Sequence, residues 1–154
     1  DLVSQGRNFE KGRQAFVDAQ CLACHRFGNE GGGVGPDLTA VATRFKRVDV
    51  LESILDPSKV VSEQFQNTTV WLKSGEDHTG RLVDETASQL VLVPNQLQPD
   101  TKITVKKSDL SRRTFSKISP MPGNLADGLK KEDVLDLLAF IESAGRKSHN
   151  AFKK

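Results

Sequence analysis

Cys21-Leu22-Ala23-Cys24-His25 is the stretch of this chain that decides its fold. Two thiols separated by two residues can each add across a haem vinyl group, and the two thioethers then fix the porphyrin to the polypeptide. The histidine that follows is placed beneath the iron as an axial ligand. The motif therefore predicts one covalent haem, attached through Cys21 and Cys24, with His25 bound to its iron.

Other interpretations of the two cysteines explain less. A zinc site needs four thiolate or imidazole ligands, and the chain has no further cysteine. A thioredoxin-like redox pair needs a βαβ setting, whereas glycine-rich coil follows here. A disulfide between such close cysteines would close a tiny loop and would stabilise the fold little.

Length and charge limit the classes of protein that remain. The chain of 154 residues can form one ordinary domain or two small ones. Its 22 lysines and arginines nearly balance its 20 aspartates and glutamates, so nothing favours a nucleic-acid partner. The basic residues 149–154 are interpreted as a frayed tail rather than a binding arm. No apolar run is long enough to predict a transmembrane segment.

The predicted cofactor also predicts the compartment. Thioether attachment of haem takes place outside the bacterial cytoplasm. We therefore expect an exported protein, in the periplasm or an equivalent extracytoplasmic compartment.

Three segments have the apolar spacing of helices. The first runs from about Ser4 to Ala19. The second begins at Asp49, which forms a capping-box pattern with Glu52, and ends at Asp56-Pro57. The third, Glu132 to Ser143, has the strongest helical pattern in the chain.

Between the second and third helices, the pattern changes to short β-rich runs separated by turn residues. Such runs predict a meander or a small antiparallel barrel, and residues 70–83 look like the opening of an Sm-like or SH3-like barrel. The five expected strands are Phe65–Lys73, Gly80–Asp84, Gln89–Val93, Thr101–Lys106 and Arg113–Ile118.

The order of these features resembles the class I c-type cytochromes. More narrowly, the chain is similar to the haem-binding cytochrome domains of planctomycetes and verrucomicrobia. The resemblance implies a mainly α cytochrome c fold, with three or more helices around the haem, formed by residues 1–62 and 118–154. Residues 63–117 would be an inserted β-rich module. The strings that carry the resemblance are Cys21–His25, Gly33–Thr39, Leu51–Pro57, Ser119–Pro122 and Asp136–Ile141.

The resemblance assigns further residues around the iron. The Pro36 carbonyl would accept a hydrogen bond from Nδ1 of His25, and Met121 would be the second axial ligand. Arg44 would bind a haem propionate. Each has a plainer interpretation, namely a turn at Gly35-Pro36, a core methionine and a solvated surface arginine.

Helix packing and the lining of the haem crevice follow from the same resemblance. Gly12 and Phe16 match the glycine and the aromatic residue of the family's first helix. Leu137 and Phe140 match the residues of the terminal helix that they cross. The residues expected to line the haem crevice are Leu38, Phe45, residues 51–55 and Phe140.

Three further residues carry alternatives. Trp71 is interpreted as barrel core, and otherwise as an indole donor to a propionate. His78 and His149 are expected to be exposed. Either could replace Met121 on the iron only after a large rearrangement of the chain.

An iron with histidine and methionine as axial ligands has no open position for substrate, and this favours electron transfer. The resemblance implies a soluble carrier, or the cytochrome domain of a larger oxidoreductase, rather than an enzyme. A dehydrogenase would donate the electron, and another cytochrome or an oxidase would accept it. The alternative is a peroxidase-like haem enzyme or gas sensor, whose sixth position is open or displaceable.

Overall fold

The computed structural model describes residues 6–153 and divides the chain into two compact units. Asp1–Lys59 and Pro122–Lys154 form the first, which we call the helical unit. Val60–Met121 form the second, the sheet unit. The α-helices lie in the first of these and the five-stranded antiparallel sheet in the second.

The helical unit is built from short elements. A 3₁₀ turn at Val41–Thr43 precedes the third helix, and another at Asn150–Phe152 lies near the C-terminus. The helices and the two-stranded ribbon are α1 (Phe9–Asp18), α2 (Cys21–Cys24), β1 (Arg26–Phe27), β2 (Glu30–Gly31), α3 (Arg47–Leu55) and α4 (Lys131–Glu142). No helix within residues 6–153 has both the length and the apolar character of a membrane span.

The first helix starts later than its apolar pattern predicts. The side chain of Asn8 accepts a hydrogen bond from the N–H of Lys11 at 3.0 Å and caps α1. The two residues before Asn8 pair with the C-terminal stretch of the chain. The N–H of Gly6 donates to the carbonyl of Lys153, and the N–H of Arg7 donates to the carbonyl of Ala151. The predicted start at Ser4 lies outside the described residues.

The predicted N-cap of the second helix is wrong. Helix α3 begins at Arg47, and Asp49 is its third residue rather than its cap. The Asp49 carboxylate reaches back to accept the N–H of Lys46 at 3.0 Å. An acidic residue therefore marks this helix start from inside the first turn.

The terminal helix is confirmed to within one residue at each end. Asp133 accepts the N–H of Lys130 at its start. Gly145, with φ of +71°, follows its end and donates to the carbonyl of Phe140. A salt bridge joins α3 to α4, in which Nη2 of Arg47 donates to both carboxylate oxygens of Glu142, at 2.8 Å from Oε2.

Helices α1 and α4 cross at the predicted glycine. A Cβ added to Gly12 would lie 2.3 Å from the carbonyl oxygen of Asp136, so only glycine permits this approach. Phe16 and Leu137 are almost fully buried at the crossing. Aromatic rings continue the core, with centroids 5.0 to 5.5 Å apart, and they belong to Phe9, Phe16, Phe27, Phe140 and Phe152.

The C-terminal stretch is part of this core. Ala151 is only 2% exposed, and the ring of Phe152 packs edge-to-face on Phe9 at 5.3 Å. The prediction of a frayed tail is therefore wrong as far as Lys153, because two apolar side chains find partners there. Lys154 lies outside the described residues.

The sheet unit contains five antiparallel strands, as predicted, and they are β3 (Thr68–Leu72), β4 (Asp77–Glu85), β5 (Gln89–Val93), β6 (Ile103–Lys106) and β7 (Leu110–Phe115). Their order in the sheet is β6-β5-β4-β3-β7. The last strand returns to pair with the first, so the sheet is more than a meander.

The core of the sheet unit excludes Trp71. Its buried residues are Val70, Leu90, Leu92 and Val105. Because successive side chains alternate between faces of a strand, Trp71 lies on the face opposite Val70. It is half-buried there, with the Arg112 guanidinium 4.0 Å from its ring centroid. The interpretation of Trp71 as barrel core is therefore wrong.

Candidate functional site

Helix α2 is a single turn that carries both cysteines. Residues three apart lie on the same side of a helix, so Cys21 and Cys24 are presented together. Both are free and half-buried. Burial raises the pKa of the Cys21 thiol to about 11 and also raises that of Cys24. At neutral pH Cys21 is therefore a thiol, the form that adds across a vinyl group without net oxidation.

The imidazole of His25 is oriented by the loop that follows. Its Nδ1 lies 2.7 Å from the carbonyl oxygen of Pro36. A carbonyl can only accept a hydrogen bond, so Nδ1 carries the proton and Nε2 keeps a lone pair. Among residues 6–153 no group bonds to Nε2. The ring is therefore in the tautomer that binds a metal through Nε2.

The glycine-rich loop supplies hydrogen bonds to α2. The N–H of Gly32 donates to the carbonyl of Leu22 at 2.9 Å, and that of Gly35 donates to Cys24 at 2.8 Å. The carbonyls at the C-terminal end of a helix have no partners within the helix. The loop satisfies two of them and fixes its own position against the attachment motif.

Close contact with the backbone of the attachment motif explains why glycine occupies this loop. A Cβ at Gly31 would lie 2.1 Å from the carbonyl oxygen of His25, and one at Gly32 would lie 2.5 Å from that of Ala23. Gly31 also has a φ of +95°, which side chains disfavour. The motif and the loop therefore approach each other more closely than larger residues would allow.

Phe27 anchors the chain immediately after the motif, and sequence reasoning missed it. It is 9% exposed, and its ring centroid lies 5.0 Å from that of Phe16 and 5.2 Å from that of Phe140. A strand of two residues has no readable periodicity. The available signal was one aromatic residue, two positions after His25, in an otherwise polar stretch.

Arg44 presents an exposed guanidinium next to the third helix. It forms no ion pair with any of the described residues, and its guanidinium carbon lies 5.8 Å from the ring centroid of Phe45. The pKa of Asp37 is lowered mainly by hydrogen bonds from Thr39, and the charges of Arg26 and Arg44 add to this. Arg44 is therefore an exposed cation that can bind a carboxylate.

Met121 is the last residue of the sheet unit, whereas the cysteines, His25 and Pro36 lie together in the helical unit. It is half-buried, and its N–H donates to the hydroxyl of Ser119 at 3.1 Å. Pro120 and Pro122 flank it and restrict the backbone on both sides.

The remaining predicted residues divide between core and surface. Phe140 is buried in the aromatic core, and Leu38 is partly buried against it. Phe45 and Leu55 are exposed, together with Val48, which is 63% exposed. An apolar surface of this kind at α3 is one that a porphyrin face can cover. With the thiols and the free Nε2, the donor set of the helical unit fits a haem.

The two other histidines are less exposed than predicted. His78 lies in β4, opposite Val70, and is half-buried. His149 is also half-buried, and its Nδ1 accepts the N–H of Ala151 at 3.3 Å. The expectation of two exposed histidines is therefore wrong, because one lies within a sheet and the other caps a 3₁₀ turn.

Paired thiols on one helical turn, an adjacent imidazole and a carbonyl acceptor for its Nδ1 are features of the c-type cytochrome class. Residues 9–80 match the family model described as cytochrome c. The match covers just under half of the chain, and it includes the attachment motif, the glycine-rich loop and α3. It supports a c-type cytochrome with covalent haem and haem-based electron transfer. None of the curated proteins matches the chain.

Proposed function

We propose that this protein transfers single electrons through one haem c, attached at Cys21 and Cys24, with His25 and Met121 as the axial ligands. The observation that carries the proposal is the 2.7 Å contact between Nδ1 of His25 and the Pro36 carbonyl. It leaves Nε2 as the lone-pair donor beside the two attachment thiols. A solvated histidine would have no fixed tautomer and no fixed direction.

The bound haem supplies a reversible one-electron change at its iron, and the chain sets the conditions for it. The Pro36 carbonyl orients the His25 ring and raises its basicity as a ligand. The Met121 thioether, opposite a histidine, raises the reduction potential. Arg44 offsets the charge of a propionate. With both axial positions filled, the protein binds no substrate at the iron.

The domain organisation follows from the same proposal. Residues 1–62 and 118–154 form the cytochrome fold, and residues 63–117 are a β-rich module inserted between α3 and the methionine. The boundaries of the two compact units, after Lys59 and after Met121, support this division to within a few residues. The assignment to the planctomycete and verrucomicrobial type rests on the strings of sequence that carry that resemblance.

The setting in the cell belongs to the proposal as well. Covalent haem attachment favours an exported protein, in the periplasm or an equivalent compartment. The chain acts as a carrier or as the cytochrome domain of a larger oxidoreductase. It accepts electrons from a dehydrogenase and passes them to another cytochrome or to an oxidase.

Optical spectra of the holoprotein test the axial ligands. The oxidised protein should show the weak far-red band of methionine bound to ferric haem, and Met121→Leu should remove it while leaving the attachment intact. His78→Gln and His149→Gln are the matched controls and should keep the band. A wild-type protein without the band, or a reduced protein that binds carbon monoxide rapidly, would contradict the proposed ligation.

A further inference from the structure

We infer that the backbone of Gly35 sets the plane of the His25 imidazole about the iron–Nε2 bond, so that Gly35 is a positioning residue for the axial ligand. The inference rests on the proposed function, in which His25 binds the iron. The observation behind it is steric. A Cβ added to Gly35 would lie 2.7 Å from Cε1, 2.9 Å from Nδ1 and 3.3 Å from Nε2 of His25.

These three distances describe contact with the face of the ring. An atom close to Cε1 and to both ring nitrogens lies over one side of the imidazole rather than at its edge. Real Cβ atoms essentially never approach within 3.0 Å of another heavy atom. The absence of a side chain at Gly35 therefore lets its backbone lie against the ring and limits rotation toward that side.

The His25 ring cannot rotate freely away from such a contact, because Pro36, the residue after Gly35, holds the Nδ1 edge of the ring. The Pro36 carbonyl accepts the proton of Nδ1 at 2.7 Å. The Gly35 N–H donates to the carbonyl of Cys24 at 2.8 Å, which ties the glycine to the residue before His25. Gly35 therefore lies against the face of the imidazole, and Pro36 binds its Nδ1 edge.

The loop contains its own control. Neither Gly33 nor Gly35 has the positive φ that only glycine adopts readily, so neither position needs glycine for its backbone angles. A Cβ at Gly33 meets no atom within 4 Å. Gly33→Ala therefore adds the same methyl group two residues away without touching the imidazole.

Electron paramagnetic resonance of the oxidised holoprotein reads the orientation of the ring. The plane of an axial imidazole splits the iron d orbitals that determine the g-values. We expect Gly35→Ala to shift the g-values and the reduction potential, with the haem still attached and low-spin. Gly33→Ala should match wild type in both. A folded Gly35→Ala protein with wild-type g-values would overturn the inference.

A second measurement needs no variant and decides the case if Gly35→Ala does not fold. In the reduced wild-type protein, the α-protons of Gly35 should show a strong nuclear Overhauser effect to Hε1 of His25 and an upfield ring-current shift. Absence of both would overturn the inference. A wild-type protein with no low-spin haem signal would instead overturn the proposed function, and this inference with it.

Discussion

The carboxylate of Asp136, in the middle of α4, accepts a hydrogen bond from the backbone N–H of Asn8 at 3.0 Å. Asn8 is the N-cap of α1, so one buried side chain ties the start of the first helix to the terminal helix. Asp136 is only 5% exposed, and the Arg7 guanidinium lies 3.7 Å from the same oxygen. The two helices that frame the attachment motif are therefore joined by polar as well as apolar contacts.

Removal of this carboxylate should destabilise the helical unit. Asp136→Ala leaves the part-buried N–H of Asn8 without its acceptor, and we expect a loss of about 1–3 kcal/mol in the free energy of unfolding. Glu132→Gln is the matched control, because Glu132 lies one turn earlier, also bonds Arg7 and is exposed. It should cost less than about 1 kcal/mol. Urea unfolding followed by far-ultraviolet circular dichroism measures both, and equal losses would contradict the structure.

Phe27 should be the aromatic residue whose loss most affects the attachment site. Phe27→Ala empties a position between Phe16 and Phe140, and truncation of a buried phenylalanine costs about 3–5 kcal/mol. Phe115→Ala removes an exposed ring from β7 and should change stability by no more than about 0.5 kcal/mol. Thermal unfolding followed at the haem absorbance compares them. A Phe27→Ala protein as stable as Phe115→Ala would contradict the assigned packing.

Glu85 should make the sheet unit sensitive to acid. Hydrogen bonds from Lys107 and then Arg113 lower the pKa of its carboxyl below the ordinary 4.5. The carboxylate is ionised in both folded and unfolded chains above pH 4.5, where the stabilisation is complete. Below that pH the unfolded chain takes up the proton first, so the stabilisation is lost as pH falls through the lowered pKa.

The corresponding experiment uses Trp71, the only tryptophan, which lies in β3. The urea midpoint of its fluorescence should fall between pH 6 and pH 3, and it should fall less steeply in Glu85→Gln. Glu76→Gln is the control, since the only described partner of the Glu76 carboxylate is the Ser74 hydroxyl. Identical pH profiles for wild type and Glu85→Gln would show that these ion pairs do not stabilise the unit.

Local sequence patterns predicted most of the elements. Strand β5, Gln89–Val93, has the predicted bounds, and α4 differs from its prediction by one residue at each end. These segments carry their own apolar period and their own stop signals. The cysteines and His25 could be recognised for a similar reason, because five consecutive residues contain the whole attachment chemistry.

Contacts between distant segments could not be read in this way. The pairing of β7 with β3, and of Arg7 with Ala151, depends on where folding brings the ends together. The same is true of Phe27, which becomes a core residue only when α1 and α4 cross beside it. A glycine-rich loop was evident from composition, but its fit against the imidazole depends on how the folded chain brings the loop and His25 together.

The mass of the polypeptide after acid–acetone extraction tests the central claim most directly. The protein should be produced in a periplasm equipped for haem attachment and compared with the Cys21→Ala/Cys24→Ala variant. The account predicts a wild-type chain that stays coloured and heavier by the mass of one haem, and a variant that loses its colour. A wild-type chain recovered colourless, at the mass of the bare polypeptide, would contradict the account.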